Sequence, residues 1–329
     1  MHKWLEGSNY FKEKYMFYKK KKQSNKKNEI ERKNEISVSK ENTGLPSFQK
    51  DDILSLKERN SNDSIVIINA DGSLSPFANL IGGEIVDYED IFLYINKMLD
   101  SLNSSNIDEN AIFLANLLEL LSDTTFSQAQ QSKFICYIDE KFAQNEKLSL
   151  SSILAYMRLT LPKELEWICE ITPDKQETEI FNKIVFFNLS KCPKSLLTAA
   201  YLLSLKMSFD IVSSNGEKWQ YTWLSCNIDE IIKHPKTCSY LSSISKRMRT
   251  HWGVCSYYTH SLLDVYNMAP EILYNIITIF TYEPSEDDAK FICEKYLDSS
   301  VDLCMPGGIE PYLDCIFDMA LQKKAKDFP

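Results

Sequence analysis

Apolar residues recur at helical spacing along most of the chain. Two stretches show this clearly, each with four apolar residues on one helical face: Phe92, Ile95, Leu99 and Leu102, and then Ile112, Ala115, Leu118 and Leu121. Acidic residues Asp108 and Glu109 precede the second set, as is typical of a helix start. Further helices are predicted over residues 134–142, 195–208, 239–249, 257–265, 271–281, 286–297 and 312–324. Ser285 precedes the helix at 286–297 and is a cap-like residue, with Asp288 three residues on.

Strand patterns are rare by comparison. The run SIVIIN at 64–69, followed by Ala70-Asp71-Gly72, predicts one short strand and a turn. The chain has only 9 glycines and 11 prolines, whereas all-β folds use many of both in turns. We therefore predict an all-α fold.

Charge divides the chain into a basic tail and an acidic body. The first 50 residues hold 13 Lys and Arg against 6 Asp and Glu, and the remainder holds 24 against 40. The segment 19–63 is rich in Lys, Asn, Glu and Ser and is predicted to be disordered. Its lysines fit a nuclear-import signal or a solvated linker, and the aromatic residues ahead of it allow weak contact with a membrane or partner surface. The acidic body argues against nucleic-acid binding, which needs clustered Lys and Arg.

Nine scattered cysteines without a CxxC pair indicate reduced thiols in an intracellular protein, either cytoplasmic or nuclear. The charged N-terminus does not resemble a signal peptide. No apolar run approaches the ~18–20 residues of a transmembrane helix, so none is predicted.

Motifs that carry chemistry are missing from the sequence. It contains no GxxxxGK[ST], GxGxxG, GxSxG or HExxH, and only four histidines. One group of residues has side chains that could bind a metal: His251, Cys255 and His260, with Cys238 upstream. Because Gly253 lies between His251 and Cys255, we interpret these residues as not forming a common metal site. We predict no catalytic residue, no cofactor and no metal.

The segment 195–219 carries the most specific signal in the chain. Leu196, Ala200, Leu203 and Met207 fall on one apolar face. Lys206 lies near the end of this helix, Asp210 follows four residues later, and a polar loop then leads to a tryptophan.

This order of features resembles the third helix of a cyclin box, and residues 150–233 resemble the box of the short phosphate-control and cyclin Y type. The first helix of the box corresponds to LSSILAYMRLTL, which contains Arg158, and the second to ETEIFNKIVFFNLSK. The fourth runs from about Lys218 to Ser225, and the fifth opens at Asn227-Ile228-Asp229-Glu230. The resemblance implies a cyclin-like five-helix bundle that binds and activates a cyclin-dependent kinase without catalysis of its own. It also implies that Lys206, Asp210, Arg158 and Glu230 contact this partner.

The resulting domain prediction has four parts: a basic tail at 1–63, a helical extension at 64–147, the cyclin-like bundle at 148–250 and a C-terminal helical region at 251–329. Two alternatives stay open. One is a non-catalytic helical adaptor of the HEAT or MIF4G kind without a kinase partner. The other is an enzyme of an unrecognised helical class.

Overall fold

A computed structural model describes residues 34–38, 54, 63–70, 72–103, 106–169, 184–214, 222–281, 284–296 and 299–305. Its centre is an eight-stranded sheet in the order β3-β4-β2-β5-β6-β1-β7-β8, and every pairing is parallel. The strands are β1 Glu35–Val38, β2 Ser64–Asn69, β3 Glu84–Asp87, β4 Ile184–Asn188, β5 Thr222–Asn227, β6 Gly253–Thr259, β7 Thr278–Thr281 and β8 Asp302–Cys304.

Ten described α-helices lie between these strands. They are α1 Ser75–Ile81, α2 Tyr88–Asp100, α3 Ile107–Ser122, α4 Gln128–Ala143, α5 Leu150–Met157, α6 Leu197–Ser214, α7 Pro235–Met248, α8 Leu262–Met268, α9 Pro270–Leu273 and α10 Glu286–Tyr296. Short 3₁₀ helices occupy Lys163–Cys169, Lys194–Leu196 and Arg249–His251.

The direction of each crossover decides which face of the sheet its helices cover. From β2 the chain passes through α1 to the edge strand β3, while each later described connection runs in the opposite direction along the sheet. Because parallel crossovers are almost always right-handed, opposite directions place helices on opposite faces. The core accordingly divides in two: α1 packs on Ile65, Ile67 and Phe186, while the other helices pack on the face that carries Val66 and Ile68.

Helix α6 lies in the middle of the thicker helix layer, in contact with α2, α3 and α7. It is apolar on all sides, which is typical of a helix buried within a core. Together with the turn before it, Lys194–Ser214 is long and apolar enough to span a membrane, but 72% of its most apolar window is buried inside the protein. Core helices of this kind pass the same test, so the finding is weak evidence for a membrane span.

The predicted all-α fold is wrong. Segments predicted as helices at 257–265 and 271–281 contain parts of β6 and β7, the predicted second box helix contains β4, and the predicted fourth contains β5. Strands β2 and β4 are buried at every position, and so is β6. A strand that is covered on both faces shows no alternation of polar and apolar residues, so its pattern does not distinguish it from a buried helix.

The low glycine and proline content has the same explanation. Parallel strands are joined by helical crossovers rather than by tight hairpins, so a parallel sheet uses few turn residues. All four segments predicted as separate domains contribute at least one strand to this single sheet.

Several local predictions are confirmed. The strand at 64–69 is β2, and the acidic pair Asp108 and Glu109 lies in the first turn of α3. The helix predicted at 286–297 is α10, which is described over Glu286–Tyr296.

Candidate functional site at the carboxyl edge of the sheet

Ligands of open α/β sheets bind beside the carboxyl ends of strands, where neighbouring connections leave on opposite faces. In this sheet β2 is such a strand, because its connection leaves on the α1 face while those of its neighbours β4 and β5 leave on the other. All three strands end in asparagine: Asn69, Asn188 and Asn227. A row of polar side chains therefore lies at the position where this kind of fold binds ligands.

Asn188 joins the ends of three strands. Its Nδ2 donates to Asp87 Oδ1 at 2.8 Å, at the end of β3. Its Oδ1 accepts from the backbone N–H of Ser190 at 3.3 Å and from Ser190 Oγ at 2.9 Å. The amide of Leu189 donates to the carbonyl of Asn69 at 3.0 Å, at the end of β2. The polar atoms of Asn188 are thus engaged by the protein itself.

Asp229 joins the ends of β5 and β6. Its carboxylate accepts from Thr259 Oγ1 at 2.5 Å and from the backbone N–H of His260 at 3.2 Å. Its own backbone N–H donates to Asn227 Oδ1 at 2.9 Å. Burial is the largest influence on this carboxyl and raises its pKa, while the bond from Thr259 and the proximity of His260 oppose the rise.

A second acid, Asp288, joins the end of β6 to α10. It is completely buried and accepts from the backbone N–H of Leu263 at 2.8 Å and from Ser261 Oγ at 3.3 Å. Ser285 Oγ donates to Asp288 Oδ2 at 2.9 Å and accepts from the Asp288 backbone N–H at 3.1 Å. This confirms the cap that the sequence predicts at Ser285 with Asp288 three residues on.

The end of β7 differs from its neighbours. Thr281 is aligned with Val38 of β1 in the sheet register, and its Oγ1 is buried without a hydrogen-bond partner in the part of the chain that the structure describes. The polar groups at the ends of β1 and β7 are therefore less completely hydrogen-bonded than those at the ends of β2 and β5.

The described residues contain no group of three or more His, Cys, Asp or Glu side chains arranged to hold a metal ion. The histidine and cysteine set considered from sequence is dispersed. Cys255 is buried within β6, Cys238 is buried in α7, and His251 lies in a 3₁₀ turn before β6. His260 lies at the opposite end of that strand, beside Asp229.

The residues predicted to contact a partner occupy three different places. Lys206 and Asp210 meet inside the helix layer, where the ammonium of Lys206 lies 2.6 Å from both carboxylate oxygens. Tyr94 OH also donates to Asp210, and the burial of this tyrosine, followed by the charge of Asp210, raises its pKa strongly. Lys206 is only 5% exposed, so its charge is used within the protein.

The other two predicted residues lie apart from this pair. Arg158 has a positive φ of 57° and ends α5, and Glu230 lies in the turn after β5, where it pairs with Lys233 at 2.5 Å. Their role in partner binding stays a prediction.

Sequence reasoning missed Asp229, Thr259, His260 and Asp288 as members of a site. Asp229 comes two residues after β5, whose sequence TWLSCN mixes apolar and polar residues and gives no clear strand signal. Residues Asn227 to Glu230 also fit a helix start, so the strand was not recognised.

The fold and this edge define a class: an open, all-parallel α/β protein with helices on both faces and polar side chains at the carboxyl ends of its strands. No family model and no curated protein sequence matches the chain. Among solved structures, the chain is similar to VirB4 of Thermoanaerobacter pseudethanolicus. The TM-score is 0.54 and the sequence identity 12%, over 81% of each chain. At this identity the similarity concerns the fold alone.

This similarity, together with the parallel sheet, overturns the cyclin-box interpretation. The segment 195–214 is the core helix of an α/β layer and not the centre of a five-helix bundle. A cyclin-like role in activating a kinase is therefore wrong, and so is the all-helical adaptor of the HEAT or MIF4G kind. The cyclin-dependent kinase was expected as a partner only through that resemblance.

Proposed function

We propose that this chain is a non-hydrolysing VirB4-like protein, which acts by binding other molecules rather than by turning over a nucleotide. The proposal rests mainly on one observation: the acid at the end of β5, Asp229, is held by Thr259 and His260 of the neighbouring strand. A carboxylate that accepts these bonds fastens two strand ends together.

Phosphoryl transfer needs parts that the chain does not offer. In P-loop proteins, backbone N–H groups of a glycine-rich GxxxxGK[ST] loop hold the phosphates, and its lysine neutralises their charge. The sequence contains no such motif. Transfer also needs a metal bound by carboxylate or hydroxyl ligands, and within the described residues no group of three or more His, Cys, Asp or Glu side chains is arranged to hold one. The missing phosphate-binding motif is the stronger of these two supports for the proposal.

A protein of this kind is expected to act as a scaffold whose sheet is rigid at the carboxyl ends of its strands. Asn188, Asp229 and Asp288 each fix two or three chain segments by hydrogen bonds to buried or half-buried groups. Satisfied buried polar networks of this kind specify one arrangement of the surrounding loops. Such an edge presents a constant surface to a partner.

Thermal unfolding of the full chain, titrated with MgATP and MgADP, tests this proposal. A ligand that binds only the native state stabilises it in proportion to RT ln(1 + [L]/Kd), so binding at micromolar affinity would raise Tm clearly at millimolar nucleotide. We expect no rise in Tm. A rise that increases with nucleotide concentration and disappears in Asp229→Ala would reveal a nucleotide site at this edge and would contradict its purely structural role.

A further inference from the structure

An open groove of about 760 Å³ runs along the outer side of α7. Its floor consists mainly of small side chains of that helix, including Ser239, Ser242 and Ser243. The facing wall comes from the ends of α8 and α9, with Met268 and Glu271. Small residues along one helix face leave the depression that the neighbouring helices do not fill.

The groove is basic on an otherwise acidic protein. Lys233 lies at one end, Lys246 and Arg247 lie at the other, and Glu271 is the one carboxylate among the described lining residues. Outside the first 50 residues the chain has 24 Lys and Arg against 40 Asp and Glu. A local excess of positive charge on such a surface attracts an acidic partner and repels most others.

The three cations differ in how far they are already neutralised. The guanidinium of Arg247 donates to both carboxylate oxygens of Glu109, at 2.6 and 3.0 Å. Lys233 pairs with Glu230 at the surface. Lys246 is exposed and forms no ion pair within the described part of the chain. Its ammonium group is therefore the one most available to a ligand.

Ser242 supplies a second and independent observation. Its side chain lines the groove and is 8% exposed, yet its Oγ has no hydrogen-bond partner among the residues described. Ser245 on the same helix instead donates to the carbonyl of Leu241 at 2.6 Å. Buried hydroxyl groups without a partner are uncommon in native proteins, and a bound ligand is one way to satisfy them.

We propose that this groove binds a short, extended, acidic peptide segment of a partner protein. The stretch of α7 between the two basic ends rises about 1.5 Å per residue, so the ends lie roughly 18 Å apart. An extended peptide covers that length with about six residues. Carboxylates near the two ends of the peptide would pair with Lys233 and Lys246, and an apolar side chain between them would contact Met268, which is 45% exposed. The hydroxyl of Ser242, which is buried in the free protein, would turn toward the groove and donate to a backbone carbonyl of the peptide.

Fluorescence anisotropy tests this with a labelled peptide that has aspartate at its first and sixth positions, leucine at the third and serine elsewhere. We expect saturable binding to the full chain that weakens as salt is added. Lys246→Glu should weaken binding at least tenfold. The matched control is Lys163→Glu, which reverses another exposed lysine on the 3₁₀ helix Lys163–Cys169 and should leave the affinity unchanged.

Ser242→Ala distinguishes a binding role from a structural one. The hydroxyl makes no hydrogen bond to any described residue, so its removal should leave the melting temperature unchanged or higher. The same change should weaken peptide binding about threefold to tenfold.

Any of four results would overturn the proposal: no saturable binding, equal binding of a peptide with lysine in place of aspartate, an equal loss in Lys163→Glu, or self-association through this face in place of peptide binding. The outcome does not depend on nucleotide chemistry. A protein that hydrolysed MgATP would contradict the proposed function and leave this groove untouched, while failure of peptide binding would leave the proposed function standing.

Discussion

Gly72 offers the sharpest test of how the strand ends are arranged. This residue follows β2 and has a φ of +74°, and a Cβ added to it would lie 2.7 Å from Ser190 Cβ and 2.8 Å from Ser190 Oγ. Ser190 follows β4, which lies beside β2 in the sheet. Residues 72 and 190 approach each other only because two parallel strands end at the same edge.

Gly72→Ala should therefore be destabilising for two separable reasons. The left-handed backbone costs a residue with a Cβ about 1–2 kcal/mol. Relief of the overlap requires Ser190 to move away from Asn188 Oδ1, to which its Oγ donates at 2.9 Å, and overpacking of this kind costs about 1–3 kcal/mol. The two contributions together predict a loss of roughly 2–5 kcal/mol in the free energy of unfolding.

Gly82 provides the matched control. Its φ is +72°, but a Cβ there would meet nothing within 4 Å. Gly82→Ala should consequently lose only the backbone contribution of about 1–2 kcal/mol. The difference between the two alanine variants isolates the contact with Ser190.

Urea unfolding of five proteins measures this contact: wild type, Gly72→Ala, Gly82→Ala, Ser190→Gly, and the double variant at 72 and 190. Ser190→Gly removes both atoms that the new Cβ would meet, so the double variant should recover about 1–3 kcal/mol relative to additivity. Additive effects within about 0.5 kcal/mol, with Gly72→Ala no worse than Gly82→Ala, would refute the proximity of the two strand ends.

Three further predictions concern the acids and the buried lysine. Lys206→Glu should lower the free energy of unfolding by about 3 kcal/mol or more, because it places a second carboxylate beside Asp210 inside the helix layer; a circular-dichroism melt like that of wild type would contradict this. Asp288→Ala should cost about 2–4 kcal/mol and speed hydrogen exchange at the Leu263 amide, which loses its acceptor; an unchanged exchange rate would exclude this role. Asp229→Asn keeps one acceptor oxygen, replaces the other with an NH2 group and removes the charge. Since burial raises the pKa of Asp229 above its ordinary value of 3.8, the native state holds that proton more tightly than the unfolded chain, and ionisation lowers stability. The stability advantage of the Asn variant over wild type should thus be absent below the ordinary pKa and should grow as the pH rises through the raised pKa of the native state. Urea midpoints measured across that pH range would show this. A stability difference that does not depend on pH would be inconsistent with a raised pKa.

The sequence predicted the surface-facing helices well because they keep an amphipathic pattern. Phe92, Ile95 and Leu99 are buried on one side of α2 while the other side is exposed, so the helical period is visible. The acidic first turn of α3 and the cap at Ser285 were also predictable, because the residues next to a helix end determine such features locally.

The buried strands could not be distinguished in this way. IVFFN of β4 and GVCSYYT of β6 are covered on both faces, and short apolar runs of this kind fit a strand or a helix equally well. Helix α6 added to the error, since a helix buried on all sides gives no face to orient.

The candidate site was missed for a related reason. Asp229, Thr259 and Asp288 lie far apart in the sequence, and only the strand order brings them to one edge. Without the strands, Asp229 fits a helix start equally well, and Thr259 shows no pattern of its own. Lys206 was recognised as unusual, but its burial against Asp210 depends on helices α2, α3 and α7 packed around it.

Release of phosphate from MgATP by the purified full chain tests the central claim most directly. The account predicts that wild type and Asp229→Asn both release phosphate at the rate of the buffer alone. Hydrolysis by wild type that Asp229→Asn abolishes, with the stability of the variant intact, would contradict it.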